Sequence, residues 1–238
     1  MYQKTLEGLK NAINSEITTG VAMTVTKDNY NEVDYVIDEA EELGADIFMH
    51  YNFIPSGRGE KIKNLDITPE MREKLLLKLM KKSQKKDITL LSTAPQFGRI
   101  SAKGDITSLT HFDTFGQSDM AEDVNFLAEF VGGCGAGRLY AALQPNGDIT
   151  PCVFLPKTIG NIKKDNFTDI WQKNKFLNKI RNREEFSGEC GECEFRNICG
   201  GCRARAYAYY KDVQEKDPGC ILNKPLGEET ETKIPIKT

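Results

Sequence analysis

The sequence predicts an α/β unit followed by a small cysteine-rich unit, and three observations carry that reading. Strand-like segments at 20–26 and 46–53 flank a helical pattern through short connections. All seven cysteines (Cys134, Cys152, Cys190, Cys193, Cys199, Cys202 and Cys220) fall in the second half of the 238 residues. Asn146-Gly147 stands between two apolar runs, 139–143 and 149–154, which is a strong hairpin signal because both turn residues must accept positive φ.

Leu6, Leu9 and Ile13 recur at helical spacing and predict a helix near the start of the chain. Asn31 is a candidate cap for a second helix reaching Leu43, with Val33, Val36, Ile37 and Ala40 on one face and Gly44 as its stop. With strands before and after it, this segment reads as a right-handed βαβ unit on a parallel sheet. Thr68 and Pro69 open a third helix whose apolar face uses Met71, Leu75, Leu76 and Leu79, and 88–93 is a further strand candidate. Lys81, Lys82, Lys85 and Lys86 suit the solvated back of that helix better than an anion site. From 96 to 117 the pattern fades into glycine, serine, threonine and aspartate, which predicts an irregular connection. Phe167, Ile170, Trp171 and Leu177 mark a helix face packed on the cysteine-rich unit, and the charged segment after Leu226 is expected to be disordered.

Composition narrows the function classes. A 39% apolar content suffices for a core, and a formal charge of -3 argues against nonspecific nucleic-acid binding. No apolar run approaches the roughly 18 residues of a membrane span. So many thiols imply a reducing, cytoplasmic and anaerobic setting.

Converging thiolates are soft donors for iron–sulfur clusters or zinc. Cys190-x2-Cys193-x5-Cys199-x2-Cys202 places four of them in one short stretch, with Gly191, Gly200 and Gly201 letting the loop wrap a cluster. The hairpin accounts for the other spacing, since strands of similar length return Cys134 and Cys152 to its open end. A disulfide framework wants an even count and a secreted chain, whereas the count is odd and the N-terminus is polar, without a signal-peptide core. Zinc stays an alternative, although zinc ribbons separate their knuckles by about 15–20 residues. Two cubane clusters need eight ligands, so one position is left for a side chain, water or substrate.

The order Cys134-x12-Gly147-x4-Cys152, Cys190-x2-Cys193-x5-Cys199-x2-Cys202 and then Cys220 resembles the SPASM domain, the twin-cluster extension behind the catalytic barrel of many radical SAM enzymes. The resemblance implies interleaved ligands for two auxiliary [4Fe-4S] clusters: Cys134, Cys152 and Cys202 on the first, and Cys190, Cys193, Cys199 and Cys220 on the second. Some members add a cysteine just before the first; 125–129 has none, so an open or differently ligated iron is expected. The segment Tyr51-Asn-Phe-Ile-Pro-Ser-Gly-Arg-Gly59 resembles the end of the last strand of the family's partial (β/α)6 barrel. Residues 1–60 are then a remnant of that barrel, 61–130 bridging helices and loop, 131–225 the SPASM domain and 226–238 a tail. No cysteine precedes Cys134, so the Cys-x3-Cys-x2-Cys motif of the catalytic cluster is missing. The chain is expected to be the latter part of such an enzyme, inactive on S-adenosylmethionine by itself, with the catalytic half upstream in the reading frame or on a separate polypeptide.

Within that group, Cys134-Gly-Ala-Gly-Arg138, Pro151-Cys-Val-Phe-Leu-Pro156, Cys199-Gly-Gly-Cys-Arg-Ala-Arg-Ala-Tyr207 and Asp217-Pro-Gly-Cys220 resemble the branch that remodels tetrapyrrole side chains on alternative haem routes. This implies the auxiliary-cluster and substrate-binding portion of an enzyme that decarboxylates a haem precursor or removes its acetates. The full-length enzyme would use S-adenosylmethionine, a catalytic [4Fe-4S] cluster, an iron tetrapyrrole substrate and a reductant such as ferredoxin or flavodoxin. Arg138, Arg203 and Arg205 are candidate forks for the macrocycle's carboxylates, or else neutralise the cluster and pair with acids. His50 and Asn52, on one face of a strand with Phe48, are candidates for lining the barrel near cofactor, and His111 for the open iron. A peptide or protein maturase, and a stand-alone electron-transfer or zinc-stabilised interaction module, are the alternative functions.

Overall fold

The structure, a computed structural model, describes residues 2–103 and 133–223. The order strand, helix, strand, helix, strand builds the first unit. Strands β1 (Gly20–Val25), β2 (Ile47–Asn52) and β3 (Thr89–Ser92) form a parallel sheet in the order β1-β2-β3, joined by helices α2 (Val33–Glu42) and α3 (Pro69–Ser83). Parallel neighbours require such crossovers. Helix α1 (Tyr2–Asn14) precedes them and has no buried residue; its Leu9 packs against the sheet core. Among the described residues no helix is long and apolar enough to cross a membrane.

Rows across the sheet show which face is covered. Val21, Phe48 and Leu90 are paired neighbours, and they share one core with Val33 and Ile37 of α2 and Leu75, Leu76 and Leu79 of α3. Two residues on, Met23, His50 and Ser92 extend the same face. The other side of β2, Ile47, Met49 and Tyr51, is half-exposed.

Local chemistry departs from the expected caps in two places. Asn31 lies within a 3-10 turn (Tyr30–Glu32); the asparagine that bonds locally is Asn29, which accepts from the Thr26 amide at 2.8 Å. Thr68 does cap α3, accepting from the Met71 amide at 3.2 Å, with Pro69 in the first turn. The connection expected from 96 begins instead as helix α4 (Gln96–Lys103), because Phe97 and Ile100 bury in the sheet core. His111 and 125–129 lie outside the described residues. The basic run at the end of α3 and just beyond it meets acids of α2, with Lys82 at 3.2 Å from both Asp34 and Asp38 and Lys86 at 3.1 Å from Asp38.

The second unit opens on a small antiparallel sheet, β4 (Ala142–Leu143), β5 (Asp148–Thr150) and β6 (Gly160–Asn161). Its first turn is not the two-residue type that Asn-Gly suggests. Only Gly147 has positive φ (95°), its amide reaches the Gln144 carbonyl at 2.9 Å, and the Gln144 amide reaches the Asp148 carbonyl at 2.8 Å. Pro145 holds φ negative at the first turn position, so the loop becomes a type I turn closed by a left-handed glycine. Helices α5 (Phe167–Lys173) and α6 (Lys175–Arg181) are capped by Asn166 and Asn174, and their Ile170 and Leu177 bury against Ile149 and Ile159. Helix α7 (Gly188–Glu192) and helix α8 (Arg203–Tyr210) follow.

Buried ions join the two units. Arg205 of α8 is 1% exposed and meets Asp217 at 3.1 Å, Asp66 at 2.8 Å and the Phe53 carbonyl at 2.6 Å. Arg72 of α3 pairs with Asp66 at 2.7 Å and donates to Asn52 Oδ1 at 3.0 Å. Asp217, with no exposure, also accepts from Gln96 Nε2 at 2.8 Å. Burial opposes the Asp66 and Asp217 carboxylates, but Arg205 and Arg72 hold both below the ordinary carboxylate pKa. Both acids therefore stabilise the fold at neutral pH, and that contribution is lost as pH falls through their depressed folded-state values. Asp217→Ala is expected to remove about 3–5 kcal/mol in anaerobic urea unfolding, because it leaves Arg205 short of a partner. Below about pH 4 the parent chain should lose stability more steeply than Asp66→Asn, which has one depressed carboxyl fewer.

Candidate metal centre

The thiols arrive from four places. Cys134 and Cys152 flank the β4–β5 hairpin, Cys190 and Cys193 sit within and at the end of α7, and Cys220 follows the loop that leaves α8. Between them a tight turn, in which the Cys199 amide reaches the Phe195 carbonyl at 2.8 Å, leads into Gly200 and Gly201. Gly201 has φ of 59°, and a Cβ there would lie 2.6 Å from Arg203 Nη2 and 3.2 Å from Cys190 Sγ. The reversal sends Cys199 and Cys202 to opposite sides of the loop.

Cys190, Cys193, Cys199 and Cys220 line one cavity, partly open to solvent, together with Arg99, Arg196 and Gly201. Cys202 is absent from that wall and packs instead with Cys152 and Cys134, beside Tyr140 and Leu155. All seven cysteines are free thiols. Among the described residues no three His, Cys, Asp or Glu side chains stand close enough to hold one metal ion. Thiols spaced around a cavity suit a polynuclear core, whose irons each take their own sulfur.

Electrostatics fit such a core. Burial, then Asp217 and Cys190 against the help of Arg99 and a backbone amide, pushes the Cys220 thiol up to about 12. Cys199 is raised further by burial and by Cys220, and Cys202 by burial, Cys134 and Asp217. Thiols held off ionisation in this way become good ligands once a cationic core compensates them. Donors to sulfur are already in place: the amides of Gly201 to Cys199 (3.4 Å), Asp217 to Cys190 (3.4 Å) and Phe154 to Cys152 (3.5 Å), with the Tyr140 hydroxyl at 3.6 Å from Cys152. Such hydrogen bonds set the charge that cluster sulfurs carry.

The other expected site residues have different places. Arg203 is 1% exposed, donates to the Val213 and Glu215 carbonyls at 2.7 Å, reaches Cys190 Sγ at 3.8 Å and stacks on Phe186. Arg203 and Arg205 are thus engaged inside the fold and present no fork to a ligand's carboxylates. Arg138 alone of the three keeps solvent access; it lies near Cys134 and donates to the Arg181 carbonyl at 3.1 Å. His50 and Asn52 sit on the helix-packed face of β2, which in a β/α barrel is the outer one. His50 is fully buried, bonds Ser92 Oγ at 2.8 Å and, with its pKa depressed to about 3 by burial and Arg72, stays neutral. The barrel-facing side chains of β2 are Ile47, Met49 and Tyr51. Sequence reasoning passed over Asp66, Arg72, Gln96 and Arg99, which carry no spacing signal and act only where the two units meet.

Comparison with known proteins agrees with this architecture. Residues 134–194 match the SPASM iron-sulfur cluster-binding domain. The chain is 31% identical over 224 residues to the AdoMet-dependent heme synthase of Methanosarcina barkeri, covering 92% of this chain and 60% of that protein. It is 23% identical over 232 residues to the pre-heme d1 synthase of Dinoroseobacter shibae (93% and 56%), and 25% identical over 231 residues to the mycofactocin maturase MftC of Mycolicibacterium smegmatis (92% and 51%). Streptococcus suis SuiB, solved bound to its precursor peptide SuiA, shares the fold with a TM-score of 0.65 at 18% identity, over 92% of this chain and 48% of that one. The SPASM match covers the hairpin and the first cysteines of the second unit, and over most of its length the chain is similar to AdoMet-dependent heme and pre-heme d1 synthases. It spans 60% or less of the length of these relatives.

Gly201→Ala is expected to lower stability by at least about 1–2 kcal/mol, the left-handed penalty for a residue with a Cβ. Because the added carbon also presses on Cys190, iron bound at the four-thiol cavity should fall with it, as metal analysis of the purified variant would show.

Proposed function

We propose that this chain is the auxiliary-cluster and substrate-binding portion of a radical SAM enzyme that modifies side chains of a haem precursor, by decarboxylation or acetate removal. In this reading Cys134, Cys152 and Cys202 hold one [4Fe-4S] cluster and Cys190, Cys193, Cys199 and Cys220 the other. The observation that carries it is the division of seven thiols into a group of three and a group of four, each with its own N–H or O–H donors. Bound there, the clusters would supply an electron store or relay.

The chain's own residues do the rest. Amides of Gly201, Asp217 and Phe154 spread the charge on the thiolates, and Arg203 holds the loop around Cys190. Arg138 beside Cys134 is the guanidinium placed to meet a carboxylate of a ligand at the three-thiol group, where one iron lacks a cysteine. The haem assignment draws on the AdoMet-dependent heme synthase and pre-heme d1 synthase similarities. S-adenosylmethionine and its cluster belong, in this reading, to a Cys-x3-Cys-x2-Cys segment outside residues 1–238, with a ferredoxin or flavodoxin as reductant. A second reading, peptide maturation, is favoured by the similarity to a mycofactocin maturase.

Anaerobic reconstitution is expected to load about eight irons and eight sulfides per chain, with no zinc. Cys199→Ala and Cys152→Ala should each lose about half of that iron; one zinc without sulfide would defeat the cluster assignment. Mass spectrometry of products, with the catalytic half present, separates the two substrates: a macrocycle lighter by carboxyl or acetate carbon supports the haem reading, and a crosslinked or decarboxylated peptide supports the other.

A further inference from the structure

We propose that Arg99 of α4 is a positioning residue for the group held by Cys190, Cys193, Cys199 and Cys220, donating an N–H to its sulfur side so that the sheet unit helps set its reduction potential. The inference rests on the reading of those four thiols as cluster ligands. Arg99 belongs to the first unit yet lines the four-thiol cavity of the second. It is 3% exposed. One end of its guanidinium pairs with Glu73 of α3, while Nε, a buried donor, has no hydrogen-bond partner among the described residues.

A buried donor without an acceptor is costly, and the wall that Arg99 shares carries four sulfurs, beside the Glu189 carboxylate that Lys216 engages and Asn223 Oδ1. The approach is close: a Cβ on Gly98 would lie 3.3 Å from the carbonyl of Ile198, the residue before Cys199. A cation and N–H donor facing cluster sulfurs favours the reduced, more negative state, so it raises the potential. Glu73, whose side chain is 18% exposed, subtracts from that field.

The test is an EPR-monitored redox titration of the reconstituted 238-residue chain and of Arg99→Met, Arg99→Lys and Glu73→Gln, each with iron content and circular dichroism measured. In Arg99→Met one of the two cluster signals should move to lower potential while the other stays. Arg99→Lys should fall between it and the parent, and Glu73→Gln should move the same signal upward. Unchanged potentials in a fully loaded Arg99→Met chain, or both signals moving together, would overturn the role of Arg99 and leave the cluster reading standing. If Arg99→Met fails to load, an unmoved signal in Glu73→Gln overturns it instead. A parent chain that takes up no iron overturns both.

Discussion

A single buried carboxylate organises this molecule. Asp217 accepts from Arg205, Gln96, the Gly219 amide and the Cys202 amide. Its own amide donates to Cys190, and Cys220 lies three residues on. One residue therefore touches the sheet unit through Gln96, the three-thiol group through the Cys202 amide that its side chain accepts from, and the four-thiol group through its own amide on Cys190. A buried charge is tolerated only when paired and fully hydrogen-bonded, so the residues around Asp217 are bound to one arrangement. The thiols inherit that arrangement, which is how loops without regular structure present seven sulfurs in two sets.

The sheet contributes through its covered face. Asn52 holds Arg72, Arg72 holds Asp66, and Asp66 meets Arg205 and the Tyr209 hydroxyl of α8. His50 and Ser92 occupy the row below and fasten β2 to β3. A polar layer of this kind adds less net stability than an apolar one of equal size, but it admits few alternative dockings. Helix α8 shows the result: Arg203 turns toward the Cys190 loop and Arg205 toward the sheet, two positions apart on a helix and so on nearly opposite sides. Both are buried because the start of α8 is wedged between the units.

Charge compensation explains why so many arginines crowd a cysteine-rich loop. Thiolates around an iron–sulfur core would leave net negative charge in a low-dielectric setting, and Arg99, Arg183 and Arg203 stand where they would offset it. Arg183 lies under the influence of both Cys134 and Cys199, with its pKa lowered to about 10 by burial and by Arg138. Guanidinium is suited to this work because it stays charged when buried and bonds several carbonyls at once. Of the predicted trio, Arg203 is engaged by the Cys190 loop and Arg205 by Asp66 and Asp217, while Arg138 keeps partial solvent access.

Much was legible in the sequence because local rules governed it. Apolar periodicity marked α2, α3 and the three parallel strands, Thr68-Pro69 marked the start of α3, and the crowding and spacing of the cysteines marked the metal-binding character of the second half. Other features were out of reach for physical reasons. Pro145 overrode the Asn-Gly turn, burial of Phe97 and Ile100 made a helix where composition suggested a loop, and strand alternation told which residues share a face with His50 but not which side the helices would cover. The linear pattern by itself determined a βαβ unit, a hairpin and a set of soft donors, since each depends on neighbours in the chain. Only the tertiary structure decided that Arg205 and Asp217 meet Asp66 and Gln96, because those contacts join residues more than a hundred positions apart through a buried charge network that no local spacing encodes.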